Sequence, residues 1–280
     1  MKYKIADINI EIMADPAVNL DLLSIYQFDF EGKPNSKIYI RGCDGIPMEE
    51  DELLLDDNYQ WYRTSSGATV VYLNYPQTTE TVFRVDSDKK WENVTIQFLY
   101  NVKVSESFIV EHLCYMVFRI QILFHQGILL HSSSFIWNGK GVVVTAPSGT
   151  GKSTHVSLWE KYYNVKVLND DSPAIKRTGG KLFVFGIPWS GSNSKFMNTS
   201  APLTSIIVLE QATENKIERL NKVEATLMLM PRFILPYFDG SLMNSAVDMI
   251  SEIIEKTPVY LLRCRPEKEA ADLVAAAISD

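Results

Sequence analysis

The chain has 280 residues, of which 46% are hydrophobic and 22% charged, proportions that exclude a disordered or fibrous protein and suit one or two globular domains. Its net charge of −7 argues against nucleic acid and anionic membranes as partners, although it does not exclude a local basic cleft. Cys43, Cys114 and Cys264 are too widely spaced for a disulfide scaffold or zinc cluster, which favours a cytoplasmic location.

The first hundred residues read as strands and turns. Residues 1–14 alternate between apolar and polar side chains, which is a strand pattern and not the apolar block of a signal peptide. Short segments rich in Ile, Val, Tyr and Phe predict further strands at 36–41, 68–73, 81–85 and 94–100. We therefore expect a β-rich N-terminal region over residues 1–104, packed on a second region over residues 105–280.

The second region begins with the most apolar stretch of the chain, residues 108–130. Because it contains Glu111 and Arg119, it predicts a buried helix and not a membrane span. The helix is expected to end at Gly127, since glycine readily adopts the left-handed conformation that closes helices. The following pattern predicts strands at 205–209 and 259–264 and helices at 223–230, 243–255 and 266–278.

Two hairpins are predicted within this region. Asn138-Gly139 separates the apolar segments 132–137 and 142–145, and Thr178-Gly179-Gly180 separates 174–177 and 182–185. Asn-Gly favours a type I′ turn, which needs positive φ at both central residues. Antiparallel strands at these two places predict an α/β fold with a mixed sheet.

One motif carries chemistry: residues 146–153, Ala-Pro-Ser-Gly-Thr-Gly-Lys-Ser, between an apolar strand and a helical pattern. It matches a Walker A loop with Ala in place of the first Gly. Backbone N–H groups of such a loop converge on phosphate oxygens, and the helix N-terminus reinforces them. Lys152 would reach the β- and γ-phosphates, and Ser153 would ligate magnesium. The expected nucleotide-binding residues are Ser148, Gly149, Thr150, Gly151, Lys152, Ser153 and Thr154.

A second candidate feature is the carboxylate pair Asp170-Asp171 at the end of the apolar strand 165–168. Phosphoryl transfer needs one carboxylate for magnesium and another to orient or deprotonate the attacking hydroxyl. Asp171 is the expected magnesium ligand beside Ser153, and Asp170 the expected base, although the two roles could be exchanged. The alternative is a simple Asn-Asp-Asp-Ser turn.

These residues resemble the HPr kinase/phosphorylase group of the phosphoenolpyruvate-carboxykinase-like P-loop fold. The resemblance covers about half of the chain and is carried by His131, the loop 146–153, Asn169-Asp170-Asp171 and the segment 185–189. It implies catalytic roles for Asp170, Asp171, Lys152 and His131. The chain departs from the group at Thr154, where a Glu is typical, and over 185–191, which replaces the signature segment. It looks closer to small HPr-kinase-like proteins encoded with peptide-modification genes.

The function expected from these features is magnesium-dependent transfer of the ATP γ-phosphoryl group to a hydroxyl on a peptide, protein or small molecule. ATP and Mg²⁺ are the expected cofactors, and assembly into a homo-oligomer stays open. Two alternatives also remain: a sensor or scaffold module that binds a nucleotide without transferring phosphate, and a carboxykinase-type enzyme. Lys195, Arg263 and Arg265 are further candidate contacts for phosphate or adenine.

Overall fold

The computed structural model describes residues 1–49, 51–74, 80–100, 107–191 and 194–279. It forms two compact units, one of Met1–His125 with Pro236–Met243 and one of Gln126–Leu235 with Asn244–Asp280. The boundary expected near residue 105 falls outside the described residues. None of the described helices is long and apolar enough to cross a membrane.

The first unit contains a mixed sheet of eight strands in the order β1-β2-β3-β8-β7-β6-β5-β4. β2, β3 and β8 run parallel to one another, and the other neighbours are antiparallel. The strands are β1 (Lys2–Ile5), β2 (Ile8–Ala14), β3 (Ser36–Cys43), β4 (Glu52–Asp56), β5 (Gln60–Arg63), β6 (Thr69–Asn74), β7 (Thr81–Ser87) and β8 (Asn93–Leu99). The β-rich N-terminal region predicted from the sequence is confirmed.

The helix that follows also belongs to the first unit. A π-helical turn at Ile109–Cys114 continues into α1 (Tyr115–Phe124), and the buried Gln121 side chain donates to Ser36 Oγ and to the Trp91 carbonyl. The prediction that Gly127 closes this helix is wrong: α1 ends at Phe124, and the left-handed residue lies one position before Gly127. Gln126 takes the positive φ of 59°, whereas Gly127 begins the next strand and pairs with Lys176.

The second unit contains a mixed sheet of nine strands, in which β12-β10-β11-β15-β14-β13-β9 form a continuous path. β17 pairs with β15 and β16 with β17, and β11, β15 and β17 are parallel. The strands are β9 (Gly127–Leu129), β10 (Ser133–Trp137), β11 (Lys140–Thr145), β12 (Lys166–Asn169), β13 (Ala174–Thr178), β14 (Lys181–Phe185), β15 (Ser200–Gln211), β16 (Lys216–Arg219) and β17 (Val259–Cys264).

Both predicted hairpins are present. β10 and β11 are antiparallel around Asn138 and Gly139, whose φ values are 51° and 77°, as a type I′ turn requires. β13 and β14 are antiparallel around Gly179 and Gly180, which also have positive φ. The predicted mixed α/β architecture is therefore confirmed.

Helices of the second unit share a core with its sheet. The remaining helices are α2 (Lys152–Tyr163), α3 (Lys222–Leu229), α4 (Gly240–Lys256) and α5 (Lys268–Ile278). Trp159 of α2 and Val274 of α5 are fully buried in one core with Phe135, Val144 and Leu262 from the sheet. Burial of apolar area at about 25 cal/mol per Å² makes this core the main stabilising contribution to the unit. It fixes the end of β11 relative to the start of α2, and hence the loop between them.

Candidate functional site

The glycine-rich loop joins β11 to α2 and is shaped by two positive-φ glycines. Gly149 and Gly151 have φ values of 76° and 107°, and a Cβ at either position would meet no atom within 4 Å. Glycine is therefore required here for backbone conformation and not for space. α2 begins at Lys152 without a side-chain cap, so its first N–H groups stay available to an anion.

Three side chains form a chain of polar contacts beside this loop. Lys152 Nζ lies 3.2 Å from His131 Nε2 and 3.2 Å from the Ala146 carbonyl oxygen. His131 Nδ1 lies 3.3 Å from Asp171 Oδ1. An ammonium group can only donate, so His131 Nε2 accepts and the ring proton resides on Nδ1, facing Asp171. The sequence-predicted residues Lys152, His131 and Asp171 are thus brought into direct contact.

The surroundings lower the pKa of two of these groups, His131 and Lys152. Burial, followed by the charge of Lys152, lowers the pKa of His131, and Asp171 opposes this shift. Burial also lowers the pKa of Lys152, where Asp171 raises it and Arg232 lowers it further. Since a nearby cation disfavours protonation, these shifts mean that the guanidinium of Arg232 lies within electrostatic reach of both side chains.

Asp170 is positioned by backbone groups around it. Its Oδ1 accepts a hydrogen bond of 2.7 Å from the Gly191 N–H, while Oδ2 is buried and has no hydrogen-bond partner in the described part of the chain. Asn169 organises the turn: its Oδ1 accepts from the backbone N–H groups of Asp171 and Ser172, and its Nδ2 donates to the carbonyls of Ile187 and Trp189. The interpretation as a turn is thus correct for the backbone of this segment.

A cavity of about 390 Å³ unites most of the predicted residues. Apart from Gly191, every residue lining it is a candidate from the sequence: His131, Ser148, Gly149, Gly151, Lys152, Ser153, Thr154, Asp170 and Asp171. The remaining candidate, Thr150, lies in the adjoining cavity instead. Sequence reasoning therefore selects residues that the fold collects in one place.

The adjoining cavity, of about 440 Å³, lies on the other side of the loop. It shares Gly149, Gly151 and Thr154 with the first cavity and is otherwise lined by one more loop residue, by the start of α2, and by residues in or just beyond β15 and β17. These are Thr150, His155, Leu209, Gln211, Ala212, Cys264, Arg265 and Pro266. The two cavities thus flank one loop, the first polar and charged and the second containing apolar side chains.

All three of the other candidate cations pair with carboxylates. Lys195 Nζ contacts both carboxylate oxygens of Glu160 at 2.7 and 2.8 Å. Arg263 pairs with Glu210 and Glu218 and does not line either cavity. Arg265 pairs with Glu267 and lines the second cavity.

Arg232 is the charged residue near the site that sequence reasoning missed. Its backbone carbonyl accepts from the His131 N–H at 2.8 Å, beside the isolated bridge between Leu130 and Phe233. No local motif surrounds it in the sequence, because only this long-range pairing brings the two segments together.

These features define a mixed α/β protein whose second unit holds a glycine-rich loop, a helix-starting lysine and a carboxylate pair around one cavity. The family model described as "SynChlorMet cassette protein ScmC" matches residues 101–267, more than half of the chain, and the chain belongs to that family. No curated protein matches.

Among the solved structures that match is the HPr(Ser) kinase/phosphatase from Coxiella burnetii. It is 12% identical, and the match covers 54% of this chain and 88% of that chain with a TM-score of 0.30. The resemblance to the HPr kinase group is thus supported only as a distant structural similarity, too weak to bear on the site.

Proposed function

We propose that this protein binds ATP with Mg²⁺ and transfers the γ-phosphoryl group to a hydroxyl. The observation that carries this proposal is the single cavity shared by the glycine-rich loop, Lys152, Ser153 and both carboxylates. Phosphoryl transfer depends on positioning and on charge stabilisation, and this cavity combines anion-binding donors with acidic groups.

The two cavities suit the two halves of a nucleotide. The polar cavity offers uncapped helix N–H groups and Lys152 to phosphate oxygens. The second cavity offers Leu209, Cys264 and the Arg265 guanidinium, a combination suited to a flat heteroaromatic ring and a ribose. Because both cavities include Gly149, Gly151 and Thr154, an elongated ligand would cross the loop.

The donors fit a magnesium ion that arrives with the nucleotide. Ser153 and Asp171 supply a hydroxyl and a carboxylate, the hard oxygen ligands that Mg²⁺ accepts. Within the described residues there is no group of three or more His, Cys, Asp or Glu side chains able to hold a metal by itself. Phosphate oxygens would therefore complete the coordination. When bound, the ion neutralises charge on the phosphate oxygens.

Asp170 is the proposed base. The acceptor oxygen attacks the γ-phosphorus, the bond to the β–γ bridging oxygen breaks, and ADP leaves with that electron pair. The proton of the acceptor hydroxyl passes to Asp170, whose Oδ2 has no partner among the described residues. The Gly191 N–H holds the other carboxylate oxygen and so fixes the orientation of the group.

Lys152→Ala tests nucleotide binding. We expect at least a hundredfold weaker binding of Mg·ATP by isothermal calorimetry, because the variant loses a charge-assisted contact to phosphate inside a half-buried cavity, about 3 kcal/mol. Lys161→Ala, an exposed lysine near the other end of the same helix, is the matched control and should bind like the wild type. Unchanged affinity in Lys152→Ala would contradict nucleotide binding at this loop.

Transfer is tested with γ-labelled ATP and a panel of hydroxyl compounds and serine or threonine peptides. A labelled acceptor that depends on Mg²⁺ and on Lys152 supports a kinase. Tight ATP binding with no labelled product beyond background hydrolysis would instead favour a nucleotide sensor.

A further inference from the structure

Arg232 acts electrostatically on Lys152 but lines neither cavity of the proposed nucleotide site. This residue ends a short 3-10 turn, Met230–Arg232, and its main chain is fixed against the strand that leads to His131. The His131 N–H donates to the Arg232 carbonyl at 2.8 Å, and the Ile234 N–H donates to the Leu129 carbonyl at 3.1 Å. Two backbone hydrogen bonds therefore hold Arg232 beside His131, whatever its side chain does.

Arg232 is a half-buried residue, and its side chain has no ion pair among the described residues. The other arginines of the second unit differ in this respect. Arg177, Arg263 and Arg265 each contact a carboxylate, and Arg219 is exposed to solvent. A half-buried guanidinium keeps part of its hydration and needs no counter-ion to be stable, and without a carboxylate partner its N–H donors remain available to an anionic ligand.

The charges around His131 and Lys152 also favour an anionic ligand beside Arg232. Lys152 and His131 both feel the positive charge of Arg232, and Asp171 is the carboxylate that opposes it at both groups. Although the protein carries a net charge of −7, the charges that act on His131 are those of two cations, Lys152 and Arg232, and one carboxylate, Asp171. Such a field attracts an anion.

The position of Arg232 separates it from the proposed nucleotide. It lines neither of the two cavities that flank the glycine-rich loop, whereas His131 lines the polar one. Arg232 is thus outside the lining of the space assigned to the nucleoside and the phosphates. An anion bound there would belong to the second substrate.

We propose that Arg232 binds a carboxylate of the phosphoryl acceptor, so that the acceptor is an acidic hydroxyl compound. A guanidinium presents two parallel N–H donors to a carboxylate, which fixes orientation as well as charge. This inference rests on the proposed function. The carboxylate belongs either to a free hydroxy acid or to an acidic side chain next to the hydroxyl in a peptide, and the two arms of the experiment separate these sources.

The experiment uses the full chain saturated with Mg·AMPPNP, a non-transferable ATP analogue, so that Lys152 is occupied and cannot capture an added anion. Calorimetric titrations compare D-glycerate with glycerol and N-acetyl-Asp-Ser-amide with N-acetyl-Asn-Ser-amide. In at least one pair we expect the acidic member to bind about tenfold more tightly than its neutral partner, because a charge-assisted contact contributes roughly 1.4 kcal/mol or more.

Arg232→Gln should abolish that preference while Mg·AMPPNP affinity stays within twofold, and Arg232→Lys should restore part of it. Arg219→Gln, at the exposed arginine, should behave like the wild type. Thermal unfolding of each variant checks that the fold is intact.

Equal binding of acidic and neutral members in every pair would overturn the proposal, and so would an equal loss of Mg·AMPPNP affinity in Arg232→Gln, which would make Arg232 a phosphate ligand. Failure of the wild type to bind Mg·AMPPNP is a separate result, which would overturn the proposed function and this inference with it.

Discussion

Two arginines, Arg84 in the first unit and Arg232 in the second, differ in whether carboxylates of the protein pair with their charge. Arg84 in the first unit has a side chain only 7% exposed, and it donates to both carboxylate oxygens of Asp86, to Glu49 and to the Pro47 carbonyl. Arg232 in the second unit is half-buried and has no carboxylate partner in the described chain. The charge of Arg84 is thus paired within the protein, whereas the charge of Arg232 is open, meaning that no described carboxylate pairs with it.

This difference separates a structural role from a binding role. Burial disfavours the charge of Arg84, yet its hydrogen bonds to Asp86 and Glu49 outweigh that effect and raise its pKa. A fully paired charge contributes to conformational specificity and has no capacity left for a ligand. An open charge beside a cavity contributes little to folding and is available to a substrate. Substitutions in the two units should therefore affect different measurements.

The largest expected effect is on catalysis. Asp170→Asn should reduce phosphoryl transfer by about 10² to 10⁴-fold, because an amide cannot accept the acceptor's proton, while Mg·ATP affinity changes little. Single-turnover transfer from γ-labelled ATP measures the rate, and calorimetry measures the affinity. Asp171→Asn is the companion variant and should weaken the Mg²⁺ dependence of ATP binding. If it impairs transfer without any effect on Mg²⁺, the two aspartates have exchanged roles.

A comparable effect on stability is expected in the first unit. Arg84→Gln should lower the free energy of unfolding by about 3 kcal/mol, because it leaves the Asp86 and Glu49 carboxylates without their shared cation. Urea denaturation of this variant is compared with that of Arg232→Gln, for which we expect a change within about 0.5 kcal/mol. Similar losses of stability in the two variants would contradict the distinction between a paired and an open charge.

His155 is, like Arg84, a buried titratable residue with a partner inside the protein, although it lies next to the site. Its Nε2 accepts from Trp159 Nε1 at 3.0 Å, and burial lowers its pKa from 6.5 to about 4. Between pH 6.5 and pH 4, His155 is therefore protonated in the unfolded chain but largely neutral in the folded state. The free energy of unfolding is fully retained above that pH and falls by an amount on the order of 3 kcal/mol towards pH 4.

His155→Gln should remove this component of the pH dependence, since glutamine does not titrate. Urea denaturation at several pH values between 7 and 4 gives the difference in stability between wild type and variant, which should shift in favour of the variant as pH falls. His112→Gln, at an exposed histidine of the first unit, is the control. A constant difference across this range would show that the folded state takes up this proton as readily as the unfolded chain, and that the pKa of His155 is not lowered.

The sequence predicts best where the rule is local. Asn138-Gly139 predicts the hairpin because positive φ at two successive residues is a property of the dipeptide. The glycine-rich loop is recognisable because its residue types must follow a strand and precede a helix. Arg232 has no such signal: it reaches His131 only through the pairing of Leu130 with Phe233, which are far apart in the chain. The helix end fails for a related reason, since pairing of Gly127 with β13 moves the left-handed residue to Gln126.

The smallest expected effect distinguishes conformation from function within the second unit. Gly149 in the loop and Gly139 in the hairpin have nearly the same φ, 76° and 77°, and a Cβ at either position would meet no atom within 4 Å. Replacing either by Ala should therefore cost about 1 kcal/mol of stability through backbone strain alone. Only Gly149→Ala should also weaken Mg·ATP binding, by about tenfold, because relaxation of the loop moves N–H groups that converge on phosphate.

Urea denaturation and calorimetry on the two alanine variants make the comparison, and each variant is the control for the other. Equal stability losses with unequal nucleotide affinities would mean that the positive φ at Gly149 serves the ligand. If both variants bound Mg·ATP like the wild type, the loop conformation would serve the fold alone, as it does at Gly139, and phosphate would have to be held by side chains. The contrast between groups satisfied within the protein and groups left for a ligand thus extends to the backbone. The same positive φ completes a hairpin turn at Gly139 and leaves N–H donors for an anion at Gly149.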